Sequence, residues 1–174
     1  MINDWDDRLV PGLLQTPDYA RAVMRAGLPR ASDEEIADAV ETRVNRQSAF
    51  TKPNRPLGWF VLGQSVLHRP FGGREIMRDQ LIKIEESAGQ PHFTIQVMRL
   101  STVDHPGSKG PLRVMEFPDN SPIWCTEGSS SGRMTESKDE VASAIADFNL
   151  IRACALSPGE SVKLIGKVRE ARHE

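Results

Sequence analysis

The sequence is poor in aromatic residues, which make up 6% of its 174 positions, and it contains two cysteines, Cys125 and Cys154. A low aromatic content argues against a stacking surface for single-stranded nucleic acid. The two cysteines lie far apart in apolar surroundings and form neither a disulfide framework nor a Cys-x-x-Cys pair. We therefore expect reduced thiols and a cytoplasmic protein.

The chain also lacks a charge excess and a long apolar run. Its formal net charge is −2, so there is no basic surplus to release counterions from DNA or RNA, and we expect no direct nucleic-acid binding. No apolar stretch approaches the ~18 residues that span a membrane. The acidic stretch 1–7 has neither the basic nor the apolar region of a signal peptide.

Motifs that would name a reaction or a cofactor are missing. The four histidines do not stand at a metal-binding spacing. There is no phosphate-binding loop, no Gly-x-Ser-x-Gly and no dinucleotide fingerprint. The sequence therefore predicts no metal site and no cofactor.

Helix starts are the clearest positive signals. Thr16 and Pro17 predict the N-cap and first residue of a helix that ends near Gly27. A second helix should run to about Phe50. Ser-x-x-Glu capping boxes predict the starts of this helix and of two C-terminal helices, at Ser32–Glu35, Ser137–Glu140 and Ser157–Glu160.

Short apolar or alternating runs predict four strands, at 57–62, 93–99, 112–117 and 123–127. A helix through Ile76 and Leu81 separates the first two runs. The later links are too short for crossovers, which predicts an antiparallel meander. We thus expect an α+β fold with a small, mostly antiparallel sheet of about four strands packed with N- and C-terminal helices.

The length favours one domain, residues 1–174. It should comprise a helical N-terminal region (residues 1–50), a sheet with one helix (57–127) and C-terminal helices (137–172).

Several polar side chains could bind a ligand. Arg43, Arg46 and Gln47 lie near the end of the second predicted helix, where they either bond within the fold or contact a ligand. Arg74 follows two glycines at a helix start, which is either an anion site or a simple turn.

Glu127 and His105 are the candidate acid–base groups. Glu127 follows Trp124 and Cys125 in a buried-looking strand, where its carboxyl group either faces a pocket with a raised pKa or pairs with an arginine at the sheet edge. His105 stands beside Asp104 in a loop, where it either transfers protons or is simply solvated.

The order of segments resembles a known family. Residues 10–22 read VPGLLQTPDYARA, and shorter matching pieces follow in Arg43-x-x-Arg46-Gln47, 67–73, Met77-x-x-Gln80-Leu81, 95–97, 105–107, the strands that carry Phe117 and Glu127, and 155–161. The chain is similar over nearly its whole length to the antitoxin-like C-terminal domain, formally of unknown function, of actinobacterial helix-turn-helix regulators of the XRE class.

The resemblance implies a domain that senses a signal by binding a small partner protein or a ligand, with a homodimer possible because such regulators read two half-sites. We expect no DNA-binding domain in this chain, either because it was excised or because it was never present. Where the family carries an acid after its first strand, this chain has Gln64. We expect a cavity between the sheet and helix 32–50, lined by Arg43, Gln64 and Glu127. The alternative is a stand-alone enzyme or binding protein for a small metabolite of a biosynthetic pathway, with Glu127 as acid or base.

Overall fold

The structure is a computed structural model that describes residues 1–127 and 132–171, without the side chain of Glu127. The described strands are β1 (Ile2–Asp6), β2 (Gly58–Gly63), β3 (Phe93–Met98), β4 (Leu112–Met115), β5 (Ile123–Glu127) and β6 (Gly132–Thr135). They form one six-stranded sheet in the order β3-β2-β1-β4-β5-β6.

The sheet has a parallel half and an antiparallel half. β1, β2 and β3 run parallel to one another and make up the parallel half. β4 pairs antiparallel with β1, and β5 and β6 continue in the same manner, so β4, β5 and β6 make up the antiparallel half. The α+β class is confirmed, but the sheet is larger than the four strands expected.

The meander prediction was wrong for β3, which lies at the edge of the sheet away from β4. Two strands were also missed. β1 has the sequence INDWD, whose polar residues are typical of a solvated tail, yet Asn3, Asp4 and Asp6 are buried. The N-terminal region, expected to be all helical, therefore begins with a central strand. β6 is short and largely exposed, so it gives no apolar signal.

The helices are α1 (Pro17–Gly27), α2 (Asp33–Arg46), α3 (Gln64–His68), α4 (Arg74–Ala88), α5 (Lys138–Cys154) and α6 (Pro158–Glu170). Single 3-10 turns cover Gly12–Leu14, Gln47–Phe50 and Pro106–Lys109.

Two of the three predicted capping boxes are present. Ser32 and Ser157 both accept the N3 backbone N–H while the N3 glutamate accepts theirs. Ser137 makes no side-chain capping bond. The carboxylate of Glu140 instead accepts a hydrogen bond from Arg133 of β6 at 2.6 Å, so the missed strand supplies the competing partner.

Helices cover both faces of the parallel half. One large apolar cluster joins β2 and β3 to α1, α3, α4 and α6, with Phe60, Leu62 and Leu81 fully buried. A second cluster, around Trp5 and Phe148, joins the opposite face of the sheet to α5. Helix α2 packs on the outer side of α1.

The chain between β3 and β4 crosses the carboxyl ends of the parallel strands, because β3 lies at one edge and β4 lies beyond β1. Its 3-10 turn rests on Trp5, whose Nε1 donates to the Gly107 carbonyl oxygen at 3.0 Å. A Cβ atom on Gly107 would lie 2.6 Å from the Trp5 ring, so only glycine permits this contact. Residues 10–16, the signature segment, connect β1 to α1.

Candidate functional site

Side-chain amides hold the signature segment in place. Gln15, which is 2% exposed, donates from Nε2 to the Val10 carbonyl oxygen at 2.6 Å. Gln80 of α4 donates from Nε2 to the Leu14 carbonyl oxygen and accepts from the Thr16 N–H, both at 2.8 Å. These bonds satisfy buried backbone groups that an irregular segment leaves without partners.

Two polar side chains near the end of α2 contact the same segment. Arg43 donates to Gln15 Oε1 at 3.0 Å. Gln47 donates from Nε2 to the carbonyl oxygens of Gly12 and Gln15, at 3.1 and 2.8 Å. The sequence left open whether these residues bond within the fold or contact a ligand. The structure shows hydrogen bonds within the fold for both Arg43 and Gln47. Arg46, the third candidate of this group, is exposed.

A groove of about 410 Å³ lies between the end of α2, the end of α4 and the start of β3; we call it the α2–α4 groove. This volume falls in the range of small-molecule sites in proteins. The apolar part of the groove is formed by Leu13, Val44, Phe50 and Phe93. Its polar part is formed by Gln47, Lys83, Glu86, Gln90 and His92.

One wall of this groove is aromatic. The ring centroids of Phe50 and Phe93 lie 4.7 Å apart, and those of His92 and Phe93 lie 4.3 Å apart. His92 Nδ1 is buried and has no hydrogen-bond partner. Burial, assisted by the positive charge of Arg55, lowers the pKa of His92. The lowered pKa favours the neutral imidazole, whose ring forms part of the aromatic wall while its nitrogens belong to the polar lining.

A smaller groove of about 160 Å³ opens at the carboxyl ends of β1, β2 and β3; we call it the strand-end groove. Trp5 and Met98 give it an apolar base, and its polar lining includes Asp7, Gln64, Arg99, Thr102 and His105.

His105 enters this groove on the connection that crosses the strand ends. Its ring meets Trp5 edge-on, with centroids 5.5 Å apart. Its Nδ1 atom is buried without a hydrogen-bond partner. The carboxylate of the neighbouring Asp104 is therefore not bonded to that nitrogen, and the acid–base pair considered from the sequence is not formed there.

A buried carboxyl group with a perturbed pKa was missed from the sequence. Asp6, at the end of β1, accepts hydrogen bonds at Oδ1 from the N–H groups of Arg8 and Leu9, at 2.7 and 3.1 Å. Burial nevertheless raises the pKa of Asp6 to about 6. Asp6 did not stand out in the sequence, because its acidic neighbours along the chain make the stretch resemble a solvated tail.

The predicted site residues do not share one cavity. A groove does lie between the second helix and the sheet, and Gln47 lines it. Gln64, however, follows the carboxyl end of β2, whereas this groove lies beside Phe93 at the amino end of β3. Arg43 lines neither of the two grooves and bonds Gln15 instead, whereas Gln64 lines the strand-end groove, so the structure does not bring these two residues to one groove.

The remaining candidates lie elsewhere. Arg74 is exposed at the start of α4. The side chain of Glu127 lies outside the described residues, and its backbone pairs with Gly132 at the end of β5. His105 and Gln64 do come together, in the strand-end groove.

Within residues 1–127 and 132–171, no group of three or more histidine, cysteine or acidic side chains could hold a metal ion. The same stretches of the chain contain no helix that is both long and apolar enough to cross a membrane.

Comparison with known proteins places the chain in a family. Neither the curated proteins nor the solved structures include a match to this sequence. Residues 1–167 match DUF5753, a domain of unknown function, and the chain belongs to that family.

Proposed function

We propose that the chain is the signal-receiving domain of an actinobacterial regulator of the XRE class and that a small ligand binds in the α2–α4 groove. One observation carries the proposal. Gln47 lines this groove and at the same time holds the Gly12 and Gln15 carbonyl oxygens of the signature segment. A ligand that contacts Gln47 therefore acts directly on the segment that connects β1 to α1.

The lining of the groove favours a particular kind of ligand. Phe50 and Phe93 offer apolar ring surface, against which a flat aromatic body packs well. Gln47 and Lys83 provide amide and ammonium groups for a polar substituent. A one- or two-ring aromatic molecule with an acceptor group satisfies both requirements.

Sensing requires that the ligand distinguish two states of the protein. Gln47 supplies such a difference, because its amide group either bonds the signature segment or turns to a ligand. Loss of the two bonds would loosen Gly12 and Gln15, while Gln80 and Arg43 still hold the neighbouring groups. The response is then a local rearrangement between β1 and α1.

The net charge of −2 agrees with a role other than DNA contact. In regulators of the kind that this chain resembles, a helix-turn-helix domain binds DNA, and the domain that corresponds to this chain receives the signal.

The binding step is tested by ¹H–¹⁵N correlation spectra of the protein titrated with pyridine, quinoline and 2-naphthol. We expect shifts at Phe93 and at the Gln47 side-chain amide, together with shifts at Gly12 and Gln15. Val44→Trp, which fills the groove, should abolish them, and Arg46→Ala, an exposed change on the same helix, should not. Shifts confined to other regions, or none with any of the compounds, would contradict the proposal.

The regulatory role needs a separate experiment. A strain that lacks the gene should show altered transcripts of a limited set of genes. Accumulation of one metabolic intermediate with unchanged transcripts would contradict regulation and favour the alternative, an enzyme or binding protein that acts on that metabolite.

A further inference from the structure

The strand-end groove lies where sheets of this type bind their ligands. In open sheets with parallel strands, ligands bind beyond the carboxyl ends of the strands, at the point where the strand order reverses. Here β1 is that point, because β2 and β3 extend from one of its sides and β4, β5 and β6 from the other. The groove opens at the carboxyl ends of β1, β2 and β3.

Close backbone contacts fix two walls of this groove. A Cβ atom on Gly63 would lie 2.8 Å from both Cα and Cβ of Asp7, so Asp7 is seated against the end of β2. Ser65 reinforces this contact, since its hydroxyl donates to the Asp7 carbonyl oxygen at 2.6 Å. Gly107 places the crossing connection, with His105, equally close to Trp5. These walls are built before any ligand arrives.

The groove is small. Its 160 Å³ corresponds to about five water molecules at ~30 Å³ each. A nucleotide, a disaccharide or a peptide would extend beyond it. A molecule with a handful of heavy atoms fits.

The lining carries charge of both signs. The acidic residue Asp7 and the basic residue Arg99 both line this groove. Gln64 accepts the Leu100 N–H at Oε1, at 3.1 Å, which orients its amide and leaves the Nε2 hydrogens as donors. Thr102 adds a hydroxyl group. A pure anion would meet Asp7 and a pure cation would meet Arg99, so a molecule with both charges suits this lining best.

We propose that the strand-end groove binds a free α-amino acid with a small side chain, its ammonium group at Asp7 and its carboxylate at Arg99 and the Gln64 amide. The side chain would lie towards Trp5 and Met98, whose buried surfaces form the apolar base. This site is separate from the α2–α4 groove and does not depend on the function proposed for that groove.

The first test uses the unaltered protein. Isothermal titration with each proteinogenic α-amino acid should identify one or more binders among those with small side chains. For alanine, the analogues propionate, ethylamine, N-acetylalanine and alaninamide each lack one charge. Each should bind at least about tenfold more weakly, since each loses a hydrogen-bonded charge pair.

The location is tested by spectroscopy and substitution. The Trp5 indole N–H resonance should shift on binding. Asp7→Asn and Arg99→Gln should each weaken binding about tenfold or more, while Arg78→Gln, at a half-buried arginine on α4 that pairs with Asp79, should leave the affinity unchanged.

Three results would overturn the inference: no binding by any free amino acid, equal binding of alanine and propionate, or unchanged affinity of Arg99→Gln. The analogue series remains decisive even where a variant does not fold.

Discussion

The parallel and antiparallel halves of the sheet differ in how they are covered. In β2 and β3, consecutive residues are buried on both faces, with Phe60 and Leu62 facing one helical layer and Val61 facing α5. In β4, buried Leu112 and Val114 alternate with half-buried residues, and β6 is mostly exposed. The difference follows from connectivity, because helical crossovers place helices over parallel strands while short links leave antiparallel strands open on one face.

This difference in helical cover also determines where the two grooves lie. Both grooves border the parallel half, one at the amino end of β3 and one at the carboxyl ends of all three strands. Helices and crossing connections end there, so backbone ends and polar side chains converge beside a buried core. The antiparallel half contributes the Asp4–Arg113 ion pair, at 2.7 Å, which ties it to β1.

The largest expected effect tests the two halves against each other. Leu62→Ala, at a fully buried position of β2, should lower the free energy of unfolding by about 2–5 kcal/mol, because it leaves a cavity in the core. Met115→Ala, at a half-buried position of β4, should cost less than about 1.5 kcal/mol. Urea denaturation followed by tryptophan fluorescence measures both. Equal losses would show that the antiparallel half is packed as tightly as the parallel half.

The next effect concerns Asp6, at the carboxyl end of β1. Burial raises its pKa from 3.8 to about 6, so between about pH 4 and pH 6 the unfolded chain releases this proton before the folded one. The carboxyl group therefore destabilises the fold increasingly as the pH rises through this range. Asp6→Asn keeps the Oδ1 acceptor and should raise the free energy of unfolding by about 2–3 kcal/mol at pH 7.5, with no gain below about pH 4.

Urea denaturation at a series of pH values measures this gain. Asp79→Asn, an exposed change on α4, should alter the stability by less than about 0.5 kcal/mol and serves as the control. A gain for Asp6→Asn that does not depend on pH would contradict the assignment.

The smallest effect tests the connection that joins the halves. Gly107→Ala places a methyl group 2.6 Å from the Trp5 ring and should cost about 1–3 kcal/mol, because the connection must move off the strand ends. Gly27→Ala, at the end of α1, meets no atom within 4 Å and should be neutral or stabilising by up to about 1 kcal/mol. Thermal unfolding of the two variants compares them. A neutral Gly107→Ala would mean that the connection is not seated on Trp5.

Local sequence signals predicted much of the fold. The N-caps at Thr16, Ser32 and Ser157 are confirmed by side-chain hydrogen bonds. The predicted strands at 57–62, 93–99, 112–117 and 123–127 correspond to β2, β3, β4 and β5. The predicted meander was wrong for β3, since the partner of a strand depends on distant residues and not on its own pattern. β1 was missed because burial of Asn3 and Asp4 depends on partners, Glu116 and Arg113, more than a hundred residues away.

The sequence predicted which residues would line a site, but not where in the fold they would lie. Gln47, Gln64 and His105 all lie at grooves, as expected for polar residues at element ends. They lie at two grooves, however, and Arg43 bonds the signature segment. Spacing along the chain does not distinguish the two ends of a parallel strand once a crossover of some thirty residues intervenes.

The sequence alone determined where helices begin, which runs become strands, and that the charge of the chain is close to neutral. Those properties are local or additive, so composition and short-range pattern are sufficient to establish them. The tertiary structure decided that an acidic start becomes the central strand, that the signature segment is held by Gln15, Gln80, Arg43 and Gln47, and that two grooves open at opposite ends of the parallel strands. Each of these depends on contacts between distant regions of the chain, which form only when the whole sheet is assembled.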